Sequence, residues 1–330
     1  MNKACIIAAY FGKLPGFFAG WLISVKNNTD FDFMLVTDQV IESESVPSNL
    51  NIVSMTLLQM KELARKKLGI EELVLDTPYK CCDFKPVYGI IFEDYIREYE
   101  FVGNCDLDMI FGDLGHFITS EIWENYDKIL PLGHLAFYRN TRKVLEYYKL
   151  DGKVFADYKK AFTTKENCVF DEEAGINSIY RCNGLCLYDK YIMADISEKN
   201  QRMKLTAMSI DKNKNLRNYN YQVFVYKDGK IVRYFIDDNN VMGMDEFVYL
   251  HAKNREVFAD DLKQDTDEFW ILSHKLEPLE EVEITEEMIK TFSDFISVEY
   301  EKKELQRYKT KDFFKRGMRK CKRVARRLLQ

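Results

Sequence analysis

Residues 4–105 alternate short apolar runs with longer amphipathic ones, and few folds satisfy that rhythm. Apolar stretches of strand length fall at 5–10, 31–37, 51–55 and 101–105. Between the first two lies the turn Gly12-Lys13-Leu14-Pro15-Gly16, followed by helical spacing over 17–26. Thr56 is placed to cap a helix that runs to about Leu68, with Gly69 as its stop. A further helix is expected over 83–97, with Pro86 in its first turn, where a missing N–H costs little. Strands separated by helices predict an α/β fold: a mainly parallel, doubly wound sheet covered by helices.

The second half changes character. Helices are expected over 142–149 and 173–181. Asp228-Gly229 between apolar runs at 219–226 and 230–236 is a hairpin signal, and 247–251 and 270–272 are short strands. Thr285 is a cap for a helix running towards Tyr308. No internal repeat occurs, and no linker composition appears before about Glu277. The 330 residues therefore divide into one domain over 1–280, a helical extension over 281–308 and a basic tail over 309–330.

With 46% hydrophobic and 31% charged residues, the composition is that of a folded, water-soluble chain rather than a fibrous or disordered one. The longest stretch without a charge, 45–60, contains Pro47, so no spanning helix is expected. Lys13 and Pro15 interrupt the apolar N-terminal residues and no cleavage site follows, which favours a buried strand over a signal peptide and a cytoplasmic location. Eight cysteines without a C-x-x-C pair or histidines at zinc spacing fit buried free thiols in a reducing compartment.

Charge is unevenly placed. Residues 309–327 hold ten basic side chains against one acid, Asp312; removing that +9 from a net −5 leaves −14 on the body. Phe314, Met318, Cys321, Ala325 and Leu328 form one helical stripe among these cations. Such a helix suits an anionic membrane surface, each basic residue contributing about 1 kcal/mol, and a disordered solubilising tail is the plainer alternative. The acidic body and the scarcity of aromatics in the tail argue against a nucleic-acid partner.

No P-loop, G-x-G-x-x-G, H-E-x-x-H or G-x-S-x-G occurs. What remains is Asp106-Leu107-Asp108, directly after the apolar run 101–105. In extended chain both carboxylates project to one side, at the end of a sheet strand where open α/β sheets bind ligands. Paired carboxylates there are costly unless a cation holds them, and hard oxygen ligands suit Mg²⁺ or Mn²⁺, which also grip diphosphates. The bland alternative is a solvated turn with two acids.

Asp106-Leu107-Asp108 resembles the DxD motif of GT-A glycosyltransferases, a Rossmann-like α/β fold that uses nucleotide-diphospho-sugars. The run from Phe101 to Asp113 is similar to bacterial glycosyltransferase-like proteins encoded with capsule and polysaccharide genes. Asp83-Phe84-Lys85-Pro86, the run from Gly133-His134 to Asn140, Asp171-Glu172-Glu173 and the run from Tyr249 to Arg255 fit that group as well. The resemblance spans about residues 1–275. It implies a hexose transferred from a nucleotide-diphosphate sugar, uridine being the commonest nucleotide, to a lipid-linked or growing polysaccharide acceptor at the inner face of the membrane.

The resemblance also implies roles. Asp108 would ligate Mn²⁺ or Mg²⁺, with Asp106 on the ribose or the metal and His251 as a late metal or diphosphate ligand. Thr37 and Asp38 would meet the nucleotide, and the Tyr10–Gly16 turn would sit beside the base. Lys85, Lys253 and Arg255 would approach the diphosphate. Asp171, Glu172 or Glu173, read as opening a helix, would supply a base, although acids at a helix start also suit its dipole. His134 and Arg139 would line the acceptor side. Two other functions stay open: a haloacid-dehalogenase-like phosphatase using Asp106 and Asp108, and an inactive GT-A-like scaffold in a polysaccharide assembly.

Overall fold

The computed structural model describes residues 2–42, 46–197, 202–253, 257, 259, 262–263, 266–280, 283–293, 306 and 310. Its first half contains β1 (Ala4–Tyr10), β2 (Asp32–Thr37), β3 (Leu50–Ser54), β4 (Phe101–Cys105), β5 (Met109–Phe111), β6 (Lys128–Ile129) and β7 (Leu135–Arg139). After them come β8 (Leu187–Tyr188), β9 (Ala194–Asp195), β10 (Tyr221–Lys227), β11 (Lys230–Ile236), β12 (Met242–Phe247), β13 (Tyr249–His251), β14 (Phe269–Ile271) and β15 (Leu276–Pro278). The α/β class expected from the alternating pattern holds.

The central sheet has the order β3-β2-β1-β4-β7-β6-β8. Alternate residues of β1 serve opposite faces, as the period of two demands. Cys5 and Ile7 pack with Met60 and Ala64 of helix α2 (Leu57–Leu68) on one side. Ala4, Ile6 and Ala8 pack with Trp21 and Val25 of helix α1 (Phe18–Asn27) on the other. α2 begins with the capping box of Thr56 and Gln59 and ends at Gly69 with φ 66°, a left-handed conformation that glycine adopts without strain.

The sheet is mainly parallel, as expected, with β7 alone running antiparallel to its neighbours β4 and β6. One expectation needs correction: 83–97 is not one helix. The chain is already helical at Cys81–Phe84, so Pro86 falls inside rather than at the start. A 3₁₀ turn over Lys85–Val87 follows, where Pro86 has no N–H to donate, and then short helices at Tyr88–Ile91 and Glu93–Ile96.

The second half builds a five-stranded antiparallel sheet, β12-β11-β10-β14-β15, and a three-stranded one, β5-β13-β9. Asp228 and Gly229, at φ 51° and 72°, make the expected hairpin between β10 and β11. The single strand expected at 247–251 divides at Val248, so that β12 and β13 join different sheets. The helix capped by Thr285 covers Glu286–Phe292. Most of the extension beyond 293 and nearly all of the basic tail lie outside the described residues.

Candidate active site

The site forms where β4 ends. Because β7 is reversed, its first residue, Leu135, lies opposite Cys105. The loop before it, Gly133-His134, is thereby delivered to the same sheet end as Asp106, whose backbone N–H donates to the His134 carbonyl at 3.0 Å. The same reversal sends Arg139 to the far end, opposite Phe101. There its guanidinium bonds Asp127 and the carbonyls of Trp123, Glu124 and Tyr126 and lies over the Phe101 ring. Arg139 is a structural clamp, and the acceptor role expected for it is withdrawn.

The three-stranded sheet brings in the other side. In its register His251 stands opposite Met109 on β5 and Asp195 on β9. That places His251 Nε2 3.5 Å from Asp108 Oδ1, and His251 Nδ1 3.2 Å from Asp195 Oδ1. Lys253, two residues on, reaches Asp195 Oδ2 at 3.0 Å. The ligand atoms of Asp106, Asp108 and His251 lie within 4.8 Å of one another.

A second trio, His134, Asp195 and His251, is equally close. The two imidazoles are stacked, however, with centroids 3.7 Å apart and planes 24° from parallel. The nitrogen lone pairs lie in the ring planes, and two planes so nearly parallel at this separation share no point within ligand distance, so both rings cannot aim at one ion. Asp195 is also engaged by His251 and Lys253. The Asp106–Asp108–His251 trio is the better fit for a divalent cation. It combines two hard carboxylates with an imidazole that an acid behind it orients, the arrangement typical of histidine metal ligands.

Around this trio opens a cleft of about 1440 Å³, also lined by Tyr10, Lys85, His134, Asp171, Glu172 and Lys253. Lys85 is nearly buried. Its ammonium donates to Asp106 Oδ1 at 2.6 Å and to the Gly133 carbonyl at 3.0 Å, and lies 3.4 Å from Asp171 Oδ2. It thus balances the site's acids with protein oxygens around it. Thr37 and Asp38 are not among the cleft-lining residues. Thr37 is fully buried, and the exposed Asp38 accepts from Gly12 N at 2.9 Å, bracing the Tyr10–Gly16 turn. Arg255 lies outside the described residues.

Asp171, Glu172 and Glu173 do not open a helix; the helix starts at Ile176, after Gly175. The dipole explanation therefore falls away. The acids occupy a turn pinned by Asp83, which is fully buried and accepts from Lys80 Nζ, Cys168 N and Phe170 N at 2.8 to 2.9 Å. Gly133 is required beside this turn, since a Cβ there would lie 2.2 Å from Asp171 Oδ2.

The chain belongs to a family of unknown function, DUF6625, whose model matches residues 6–280. No curated protein matches it. Similar solved structures include the galactosyltransferase LgtC in complex with donor and acceptor sugar analogues, at 11% identity over 58% of this chain and 75% of that one, with a TM-score of 0.31. Apo mouse xyloside xylosyltransferase 1 matches at 7% identity over 59% and 87%, with a TM-score of 0.41. The apo glycosyltransferase GlyE of Streptococcus pneumoniae TIGR4 matches at 13% identity over 42% and 34%, with a TM-score of 0.26.

The electrostatics of the cleft follow from burial. Burial alone would lower the His251 pKa, but the Asp108 charge and hydrogen bonds to Asp108 and Asp195 outweigh it and push the imidazolium up to about 10. His134 is driven well below the usual range, first by burial and then by His251. Burial pushes Asp171 up to about 6 against the pull of Lys85. Burial, then the Asp171 charge, pushes Glu172 up to about 8. Glu173, by contrast, is tied to Arg181 and Tyr191.

Sequence reasoning missed Asp195. It ends a strand of two residues, too short for any periodic signal. It also missed Tyr79, an exposed ring at the cleft edge with no motif around it.

Proposed function

We propose that this chain is a GT-A-type glycosyltransferase that moves a hexose from a nucleotide-diphosphate sugar, uridine diphosphate favoured, to a glycan acceptor. The observation that carries the reading is the convergence of Asp106, Asp108 and His251 at the end of β4, inside a cleft that also holds Lys253 and the carboxyls of Asp171 and Glu172. Asp106, Asp108 and His251 would hold Mn²⁺ or Mg²⁺. Such an ion, when bound, supplies positive charge for a departing diphosphate.

The chain's own groups divide the remaining work. Lys253, part-exposed in the cleft, pairs with phosphate oxygens of the donor. Lys85 holds Asp106 and Asp171 in place and offsets their charge. The Tyr10–Gly16 turn borders the nucleotide. Glu172, with its pKa raised to about 8, takes in its ionised form the proton of an attacking acceptor hydroxyl, for which a base poised near the working pH is most effective. Asp171 is the other candidate for that role, and His134 lines the acceptor side. The acceptor is a lipid-linked or growing polysaccharide of the capsule or cell-surface kind. The basic tail at 309–330 holds the enzyme on the inner membrane face. Among the described residues no helix is long and apolar enough to cross a membrane.

The test is a thermal-shift panel of uridine, guanosine, cytidine and thymidine diphosphate sugars, with and without Mn²⁺. A ligand at 100 times its dissociation constant stabilises by about 2.7 kcal/mol. A Mn²⁺-dependent shift for one nucleotide, lost in Asp108→Asn, is expected. No shift with any nucleotide, together with hydrolysis of phosphomonoesters, would overturn the reading in favour of the phosphatase.

A further inference from the structure

We infer that Asp195 is a positioning residue that sets both His251 and Lys253 for the donor site; the inference rests on the metal and diphosphate reading above. Asp195 is completely buried and is not among the cleft-lining residues, so it acts only through what it holds. Its carboxylate divides between two cleft groups. Oδ1 faces His251 Nδ1 at 3.2 Å, and Oδ2 meets Lys253 Nζ at 3.0 Å.

It is itself held from behind. Thr206 Oγ1 donates to Oδ2 at 3.0 Å and Thr206 N–H to the Asp195 carbonyl at 2.8 Å. Thr206 in turn caps the helix Ala207–Lys212. The parallel register of β9 against β13 places Asp195 opposite His251.

Two consequences follow. Occupation of Nδ1 by Asp195 fixes the ring angle that leaves Nε2 facing Asp108. The same carboxylate anchors Lys253, a flexible side chain that would otherwise sample many rotamers in the cleft. Burying an ionised carboxylate is costly unless it is well paired, and here the charged partners are the histidine assigned to the metal and the lysine assigned to the diphosphate. One acid therefore couples the metal ligand to the phosphate-binding cation.

The test reads Mn²⁺ affinity directly, by calorimetry on the intact chain without nucleotide. Removing the group that orients a metal-bound histidine typically weakens metal binding by about 10–100-fold. Asp195→Ala is expected to show that loss, and Asp195→Asn, which keeps an acceptor for Nδ1–H, a several-fold loss only. Placed in a His251→Ala background, Asp195→Ala is expected to change Mn²⁺ affinity by less than about threefold, because its effect runs through the ring. Equal losses for Asn and Ala, or an undiminished loss in the His251→Ala background, would overturn the inference. Thr206→Val covers the case in which the Asp195 variants do not fold: it removes one anchor and is expected to weaken Mn²⁺ several-fold, and an unchanged affinity would count against the inference. If wild type binds no Mn²⁺, or Asp108→Asn binds it equally well, the metal reading itself fails. If Asp108→Asn loses binding while Asp195→Ala keeps it, only the present inference fails.

Discussion

Glu172 keeps its proton into the neutral range because burial and the adjacent Asp171 both disfavour the carboxylate. The consequence for stability has a definite sign. A folded-state pKa of about 8 lies above the ordinary glutamate value of 4.5, so the folded chain holds a proton that the unfolded chain has released. The stability from this group is full below the unfolded value and is lost as pH rises through about 8. Asp171, pushed up to about 6, acts in the same direction. In the presence of a chelator, the melting temperature of wild type is therefore expected to fall more steeply between pH 5 and 8 than that of Glu172→Gln. Parallel melting curves for the two proteins across that range would refute the protonated state assigned here. The identity of these acids was visible in the chain, but their charge state was not. It depends on burial by segments far away in sequence.

At the scale of elements, the acidic turn at 171–173 is kept in the cleft by a tie across the fold. Asp83 and its partners Cys168 and Phe170 are separated by 85 and 87 residues, and Lys80 adds a charge partner that is 1% exposed. Cutting one member of a buried ion pair leaves the other uncompensated, at a cost of about 3–5 kcal/mol. Asp83→Ala is expected to lose stability of that order in urea unfolding. A loss below about 1 kcal/mol would show that the turn is held by its apolar neighbours instead. The break of 83–97 at Pro86 belongs to the same scale. The residue responsible was legible, but its consequence depended on how far upstream the helix had begun.

For the whole molecule, an acidic body and a basic terminus divide the labour proposed for it. Clustered cations near an anionic surface attract it through a field that salt screens within about 10 Å at 0.1 M. Sedimentation with vesicles rich in an anionic phospholipid is expected at low salt, to be lost on removing 309–330, and to leave the nucleotide-dependent thermal shift intact. Equal sedimentation of the shortened chain would remove the membrane role from the tail. The amino-acid sequence by itself determined what is local: strand and helix periods, the Thr56 and Thr285 caps, the Asp228-Gly229 turn, and two carboxylates at the end of a strand. Each rests on residues within a few positions of one another, where backbone geometry alone imposes the pattern. Only the tertiary structure decided the reversal of β7, which brings His134 to the site and carries Arg139 away from it. The registers that set His251 against Asp108 and Asp195, and the burial that raises the Glu172 pKa, were decided there too. Those outcomes are contacts between distant segments, selected by packing and pairing energies that leave no periodic trace in the chain.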